Sequence, residues 1–375
     1  MGRNPIASSP AAEAAIKIHT HRSEKARRPP PPPIEVFKKW FPWLVPTIII
    51  INIAIFVVTM YFNDCPVNSS GCIGASFLGR FAFQTNHENP LLGPSAATLL
   101  KMGALDVRKV VEDRQVWRLI TCMWLHAGLF HVLANMLSFL FVGIRLEQEF
   151  GFARVGALYV ISGIGGSLSS SLFVRTTISV GASGALFGLL GAMLSELLIN
   201  WTIYENKLES LMSLVVIIVI NMAVGILPHV DNFAHLGGFT TGFLLGFVIF
   251  IRPQYGYINK RRVPDYIAST TKSKPKYKAY QCFMLIVALL IFTAGFASGL
   301  SLLMRGVNGN DHCSWCHYLS CVPSPFWTCE ARCTSSLYQN QLQLTCVQNR
   351  KSDNYIVNNS TTTSHIQQLC AELCS

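Results

Sequence analysis
Four polar residues interrupt long apolar runs, and their types suit acyl transfer. Ser183 lies in "SVGASGALFGLLGAML", His235 in "NFAHLGGFTTG", and His131 and Asn135 in "FHVLAN". A serine hydroxyl is a weak nucleophile until a base takes its proton, so a serine and a histidine in reach of each other are the least that the chemistry needs. His131 and Asn135 are four residues apart and share one helix face. There they would donate hydrogen bonds to an oxyanion, together with a backbone N–H from the start of the helix that carries Ser183. Each residue alone has a plainer reading. Gly181, Gly184, Gly188 and Gly191 suit close helix packing, and the polar side chains suit interhelical hydrogen bonds. Taken together, the plainer reading requires a nucleophile, a base and two donors to share one depth by accident.

The elements that must position these residues are membrane helices. Of 375 residues, 51% are hydrophobic and only 13% charged, about half the charge of an ordinary soluble domain. Apolar runs of spanning length fall at 43–62, 129–146, 153–174, 183–201, 211–228, 232–251 and 281–304. The run at 129–146 carries His131, Asn135 and Arg145, so six spans would remain without it. The charge of +11 is concentrated beside the spans, which argues against nucleic acid as a partner. Eight Lys/Arg precede the first span, and eight more lie between the sixth and seventh, from Arg252 to Lys278. Such clusters stay cytosolic, and seven spans place both on one side. Spans two, four and six then run from lumen to cytosol. Ser183 opens span four and His235 lies one turn into span six, at similar depth. Gly184 and Gly188 on one helix, and Gly238 and Gly242 on the other, allow the two backbones to approach.

The same topology makes the long first loop (63–128) and the tail (305–375) lumenal. Eight of the 12 cysteines crowd into the tail, and Cys65 and Cys72 share the loop. In an oxidising compartment this reads as disulfides. A zinc site is the alternative for Cys313 and Cys316, flanked by His312 and His317, although no second CxxC follows at finger spacing. Sequons at Asn68, Asn358 and Asn359 are lumenal, whereas the one at Asn200 closes span four on the cytosolic side. The chain thus divides into a cytosolic basic, proline-rich tail (1–42, with "RRPPPPP"), a six-helix core (43–251), a basic cytosolic linker (252–280), a seventh span (281–304) and the cysteine-rich tail. That tail lies outside the bundle holding every catalytic candidate, which predicts that it is dispensable for the chemistry.

Over about 117–251 the sequence closely resembles the rhomboid intramembrane serine proteases. "GASG" looks like the family's GxSG, "AHLGGFTTG" like AHxxGxxxG and "HVLAN" like HxxxN; Trp117–Arg118 matches the first-loop signature, and Glu147 with Gly151 the motif after span two. The extra seventh span and the tail are similar to the secretase-type rhomboids of eukaryotes, with plant-like wording. The resemblance implies an all-α polytopic membrane fold, a six-helix bundle plus one, and a Ser183–His235 dyad with His131 and Asn135 as oxyanion partners. It implies no cofactor and no metal. The substrates implied are single-pass transmembrane proteins, admitted from the lipid bilayer and cut near the lumenal face in the Golgi or plasma membrane. Phe187, one turn after Ser183, either stacks on His235 or is a plain packing residue. The competing function is a catalytically silent relative that binds and traffics client membrane proteins; a transporter would need the inverted repeat that this sequence lacks.

Overall fold
The computed structural model describes residues 39–69, 71–86, 88–175, 177–224, 230–253, 277–313, 315–316, 319, 333–338, 341–346, 351–356 and 363–374. The proline-rich segment, most of the basic linker, Cys321, Cys329, Asn358 and Asn359 lie outside them. Helices occupy all seven apolar runs: α1 (Leu44–Asn63), α2 (Leu129–Phe150), α3 (Phe152–Phe173), α4 (Ser183–Ile199), α5 (Lys207–Val224), α6 (Asn232–Ile249) and α7 (Ala279–Met304). Among the described residues, α1, α2, α3, α6 and α7 meet the length and hydropathy needed to cross a bilayer, and α4 is a shorter apolar helix. The run at 129–146 is therefore a helix despite its polar residues. His131 and Asn135 face protein on a helix that exposes Phe130, Leu133, Leu137 and Phe141, while Arg145 is exposed near the far end and pairs with Glu149.

α4 is the centre of the bundle, buried along most of its length. Its glycine face meets α6 so closely that a Cβ on Gly242 would overlap the Gly188 carbonyl, and one on Gly238 the Gly184 carbonyl. Without side chains between them the backbones touch, which supplies the dispersion contacts that replace hydrophobic driving force in lipid. α3 closes the other side, with Ser162 against Gly188 and Thr241 against Gly165.

Charged groups sit at the helix ends and act as caps. Glu147, fully buried near the end of α2, accepts hydrogen bonds from the N–H groups of Trp43 (3.0 Å), Leu44 (2.8 Å) and Val45 (2.9 Å). These are first-turn donors of α1 with no intrahelical acceptor, and a carboxylate also complements the positive end of the helix. At the end of α4 away from Ser183, buried Asn200 donates to Phe250 O (2.9 Å), and Arg252 pairs with Glu149 (2.8 Å). Gln281 of α7 donates to Ile199 O and Arg252 O, both at 3.1 Å. The seventh helix is thus fastened to the end of α4 and packs along α3 and α6.

The tail adds a three-stranded antiparallel sheet, β1 (Cys333–Tyr338), β2 (Gln341–Cys346) and β3 (Ser352–Ile356), in the order β1-β2-β3. Cys333 faces Cys346 across β1–β2, and Thr345 faces Ser352 across β2–β3. Leu342, Leu344 and Cys346 turn to one buried face, covered by α8 (Thr363–Cys374). Bridges join Cys65–Cys72, Cys313–Cys316 and Cys333–Cys370. The CxxC pair is bonded to itself. Among the described residues no group of three or more His, Cys, Asp or Glu is placed to hold a metal ion.

Candidate active site
Ser183 is the first residue of α4, and the approach to it is held from the first loop. Residues 177–182 lie beside that loop, where Leu105 and Ser179 exchange backbone hydrogen bonds of 3.0 Å, and Ile178 and Val180 pack on Leu99, Ala104 and Leu125. Arg118 is buried behind them. Its guanidinium donates to Leu100 O (2.9 Å), Ala104 O (2.7 Å) and Gln115 Oε1 (2.7 Å), so it caps the short helix Ala96–Met102, whose exposed carbonyls attract a cation.

Gly181 makes the turn into α4 with φ +131°, a conformation that side chains disfavour. Its N–H donates to Cys122 O at 3.0 Å. A Cβ built there would lie 2.9 Å from His131 Nε2 and 3.7 Å from Ser183 Oγ, so imidazole and hydroxyl border the same point. His131 Nδ1 accepts from Ala127 N–H at 3.4 Å. That bond assigns the ring proton to Nε2, the nitrogen on the ring edge that borders this point.

A cavity of ≈ 60 Å³ opens beside the hydroxyl, lined by Asn135, Ser138 and Val142 of α2, Ser183, Leu186, Phe187 and Leu190 of α4, and Asn221 of α5. Asn135 is 6% exposed, and its amide nitrogen has no hydrogen-bond partner. A buried donor left open in this way is costly unless something else takes the bond.

His235 is buried one turn into α6. Gly184, next to Ser183, and Ala234, next to His235, face each other: a Cβ on Gly184 would lie 3.2 Å from Ala234 O. Phe187 stacks on the His235 ring, with centroids 4.2 Å apart and planes 20° from parallel. That decides between its two sequence readings: the aromatic orients the imidazole. Ser183 and His235 share no hydrogen bond in this structure, and the His235 Nδ1 has no partner; catalytic hydrogen bonds often tighten only when substrate binds. Asp231 makes no bond to the ring. Its Oδ1 accepts from Ala234 N–H (3.0 Å) and its Oδ2 from the Ser170 hydroxyl. The four residues singled out in the sequence thus gather at one end of α2, α4 and α6.

Three neighbours were not visible as site residues in the sequence. Asn221 breaks the apolar run of α5, a signal of the same kind as Asn135. Ser138 lies three residues after Asn135 and is one serine among many. His126 precedes α2, is 1% exposed, has both ring nitrogens unpartnered and meets His131 edge-to-face at 5.3 Å. Burial drives its pKa down to about 3, with the His131 ring as a smaller contributor.

Comparison with known proteins agrees with this geometry. Residues 113–252 match the Rhomboid domain family. The chain is 63% identical to RHOMBOID-like protein 1 of Arabidopsis thaliana over 90% of its own length and 87% of that protein. It is 55% identical to RHOMBOID-like protein 4 of the same plant, over 91% and 85% of the two chains. It is also 41% identical to a protein named Inactive RHOMBOID-like protein 8, over 85% and 88%. With the matched domain spanning all four converging residues, and such identity along nearly the whole chain, this protein belongs to the rhomboid family.

Proposed function
We propose that the protein is an intramembrane serine endopeptidase that cuts single-pass transmembrane substrates near the lumenal membrane face. The observation that carries this reading is the cavity itself. It brings together the Ser183 hydroxyl, the unpartnered Asn135 amide and the Phe187 ring that stacks on His235. Polar groups kept open inside a membrane bundle are expensive and mark function.

In the reaction, His235 takes the Ser183 proton as Oγ attacks the scissile carbonyl carbon, and the oxyanion forms among the His131 Nε2–H, the Asn135 amide and the N–H groups of the first turn of α4. His235 then passes its proton to the leaving amine. Water hydrolyses the acyl-enzyme by the reverse proton path. The 17 residues of α4 span about 25 Å, short of a hydrocarbon layer of about 30 Å. Ser183 then lies about a turn below the surface, within reach of lumenal water but inside the lipid boundary.

The lumenal disulfides and sequons support an endomembrane location, Golgi or plasma membrane, with residues 1–42 and 252–280 cytosolic and 305–375 lumenal. A second reading, a client-binding protein that does not cut, draws on the missing Ser183–His235 hydrogen bond and on the relative named inactive. Purified protein in liposomes decides between them. Cleavage of a single-span substrate and covalent labelling by a fluorophosphonate, both abolished by Ser183→Ala, support the protease. Cleavage that survives Ser183→Ala, or wild-type protein that binds the substrate without cutting it, refutes it.

A further inference from the structure
The first residues of the tail lie across the ends of α3 and α6, beside the turn that carries His235. Directly after α7, Gly306 O and Val307 O accept hydrogen bonds from Arg175 Nη2. Asn310 Nδ2 donates to Phe173 O (2.6 Å), one of the terminal carbonyls of α3 that has no intrahelical donor. Gly309 lies against the Phe173 ring, where a Cβ would be 2.8 Å from Cζ. Further along, Leu319 O accepts from Asn232 Nδ2 at 3.0 Å. Asn232 is the first residue of α6 and is 4% exposed. A buried amide needs its hydrogen bonds, and among the described residues its Oδ1 has none and its contact with the tail is the one side-chain bond that holds it.

We propose that residues 306–313 and Leu319 form a strap that positions His235, with Asn232 and Asn310 as positioning residues. The proposal rests on the dyad reading above. On its inner side α6 is set by the glycine contacts with α4. On its outer side its first turn is set by three contacts: Asp231 with Ser170, Phe233 stacked on Phe173 at 4.3 Å, and Asn232 with the strap. Asn310 and Arg175 tie the strap to the end of α3, against which Phe233 stacks. Release of the strap removes one of these three contacts and loosens the anchor of the Phe173 end of α3, which allows the first turn of α6, with His235 in it, to shift. The tail then belongs to the catalytic apparatus in its opening residues, contrary to the dispensability that its place in the sequence suggests.

The test uses the full chain in liposomes, with Asn232→Ala, Asn310→Ala and the double variant. The readouts are kcat and KM on a single-span substrate, the rate of Ser183 labelling by a fluorophosphonate, and the melting temperature. The expected result is a fall of about tenfold or more in both kcat and labelling rate, with KM within twofold and recovery in Asn310→Gln. Wild-type kcat and labelling in the double variant overturn the proposal, as does a loss confined to KM. If the double variant fails to fold, Asn310→Ala alone decides by the same readouts. A wild-type protein that neither labels nor cleaves brings down the protease reading first and the strap with it.

Discussion
Gly238→Ala separates helix packing from chemistry. A methyl group on Gly238 would lie 2.7 Å from the Gly184 carbonyl carbon and 3.0 Å from its Cα, and would overlap the carbonyl oxygen. Ordinary contact begins near 3.4 Å, so α4 and α6 must part by about 0.7 Å or more in a close-packed interior that yields little. Overpacking of this kind costs about 1–3 kcal/mol, equivalent to a fall of roughly 1–4 °C in melting temperature for a chain of this size. The same parting moves His235 away from Ser183, and a misplacement near 1 Å costs about 10²-fold in rate. We expect kcat/KM to fall by roughly 10- to 100-fold together with the melting temperature. Ser183→Ala is the opposite case: cleavage drops to background while the melting temperature holds, because alanine fits wherever serine does. Both are read from cleavage of a fluorogenic single-span substrate in liposomes and from thermal unfolding of the same samples. A Gly238→Ala protein with wild-type kcat/KM and wild-type melting temperature would refute the reasoning, because it would mean the two backbones are not in contact.

Asn135→Ala removes one donor and leaves serine and histidine in place, so kcat should fall by roughly 10²–10³ with little change in KM; an unchanged kcat would remove Asn135 from the oxyanion site. His126 is neutral in the fold, with its pKa depressed to about 3 against about 6.5 when unfolded. The unfolded state therefore binds the extra proton first, and stability is lost as pH falls below about 6.5. Between pH 7 and 5 the loss from this residue is about 2 kcal/mol, and chemical unfolding of His126→Phe at the two pH values should show that share removed. Asn68, exposed in the first loop, should be glycosylated. Asn200, fully buried and bonded to Phe250 O and Glu196, should not be. Gel shifts on Asn→Gln variants after glycosidase treatment report both, and a modified Asn200 would invert the topology.

The sequence by itself determined the class of the protein and the identity of its candidate site. Runs of about 20 apolar residues have one stable form in lipid, a helix whose backbone groups are satisfied within the segment, so all seven positions were legible from composition. Glycines at Gly184, Gly188, Gly238 and Gly242 marked the two faces that touch, because only residues without side chains permit that approach. Ser183, His235, His131 and Asn135 stood out because polar groups are rare where lipid is the solvent. Three features depended on contacts between residues far apart in the chain, and only the tertiary structure decided them. Phe187 stacks on His235 because α4 and α6 meet at backbone distance, which the spacing of either helix alone leaves open. Glu147 matches a family motif in "RLEQEFG" that leaves its partner open, and it is the fold that brings the start of α1 to it, 103 residues away. The tail showed its cysteines in sequence, but its sheet comes from backbone pairing between strands, and its grip on Phe173 and Asn232 comes from asparagine side chains that bond backbone carbonyls. Any asparagine can make such a bond, and only its neighbours in space choose which one it makes.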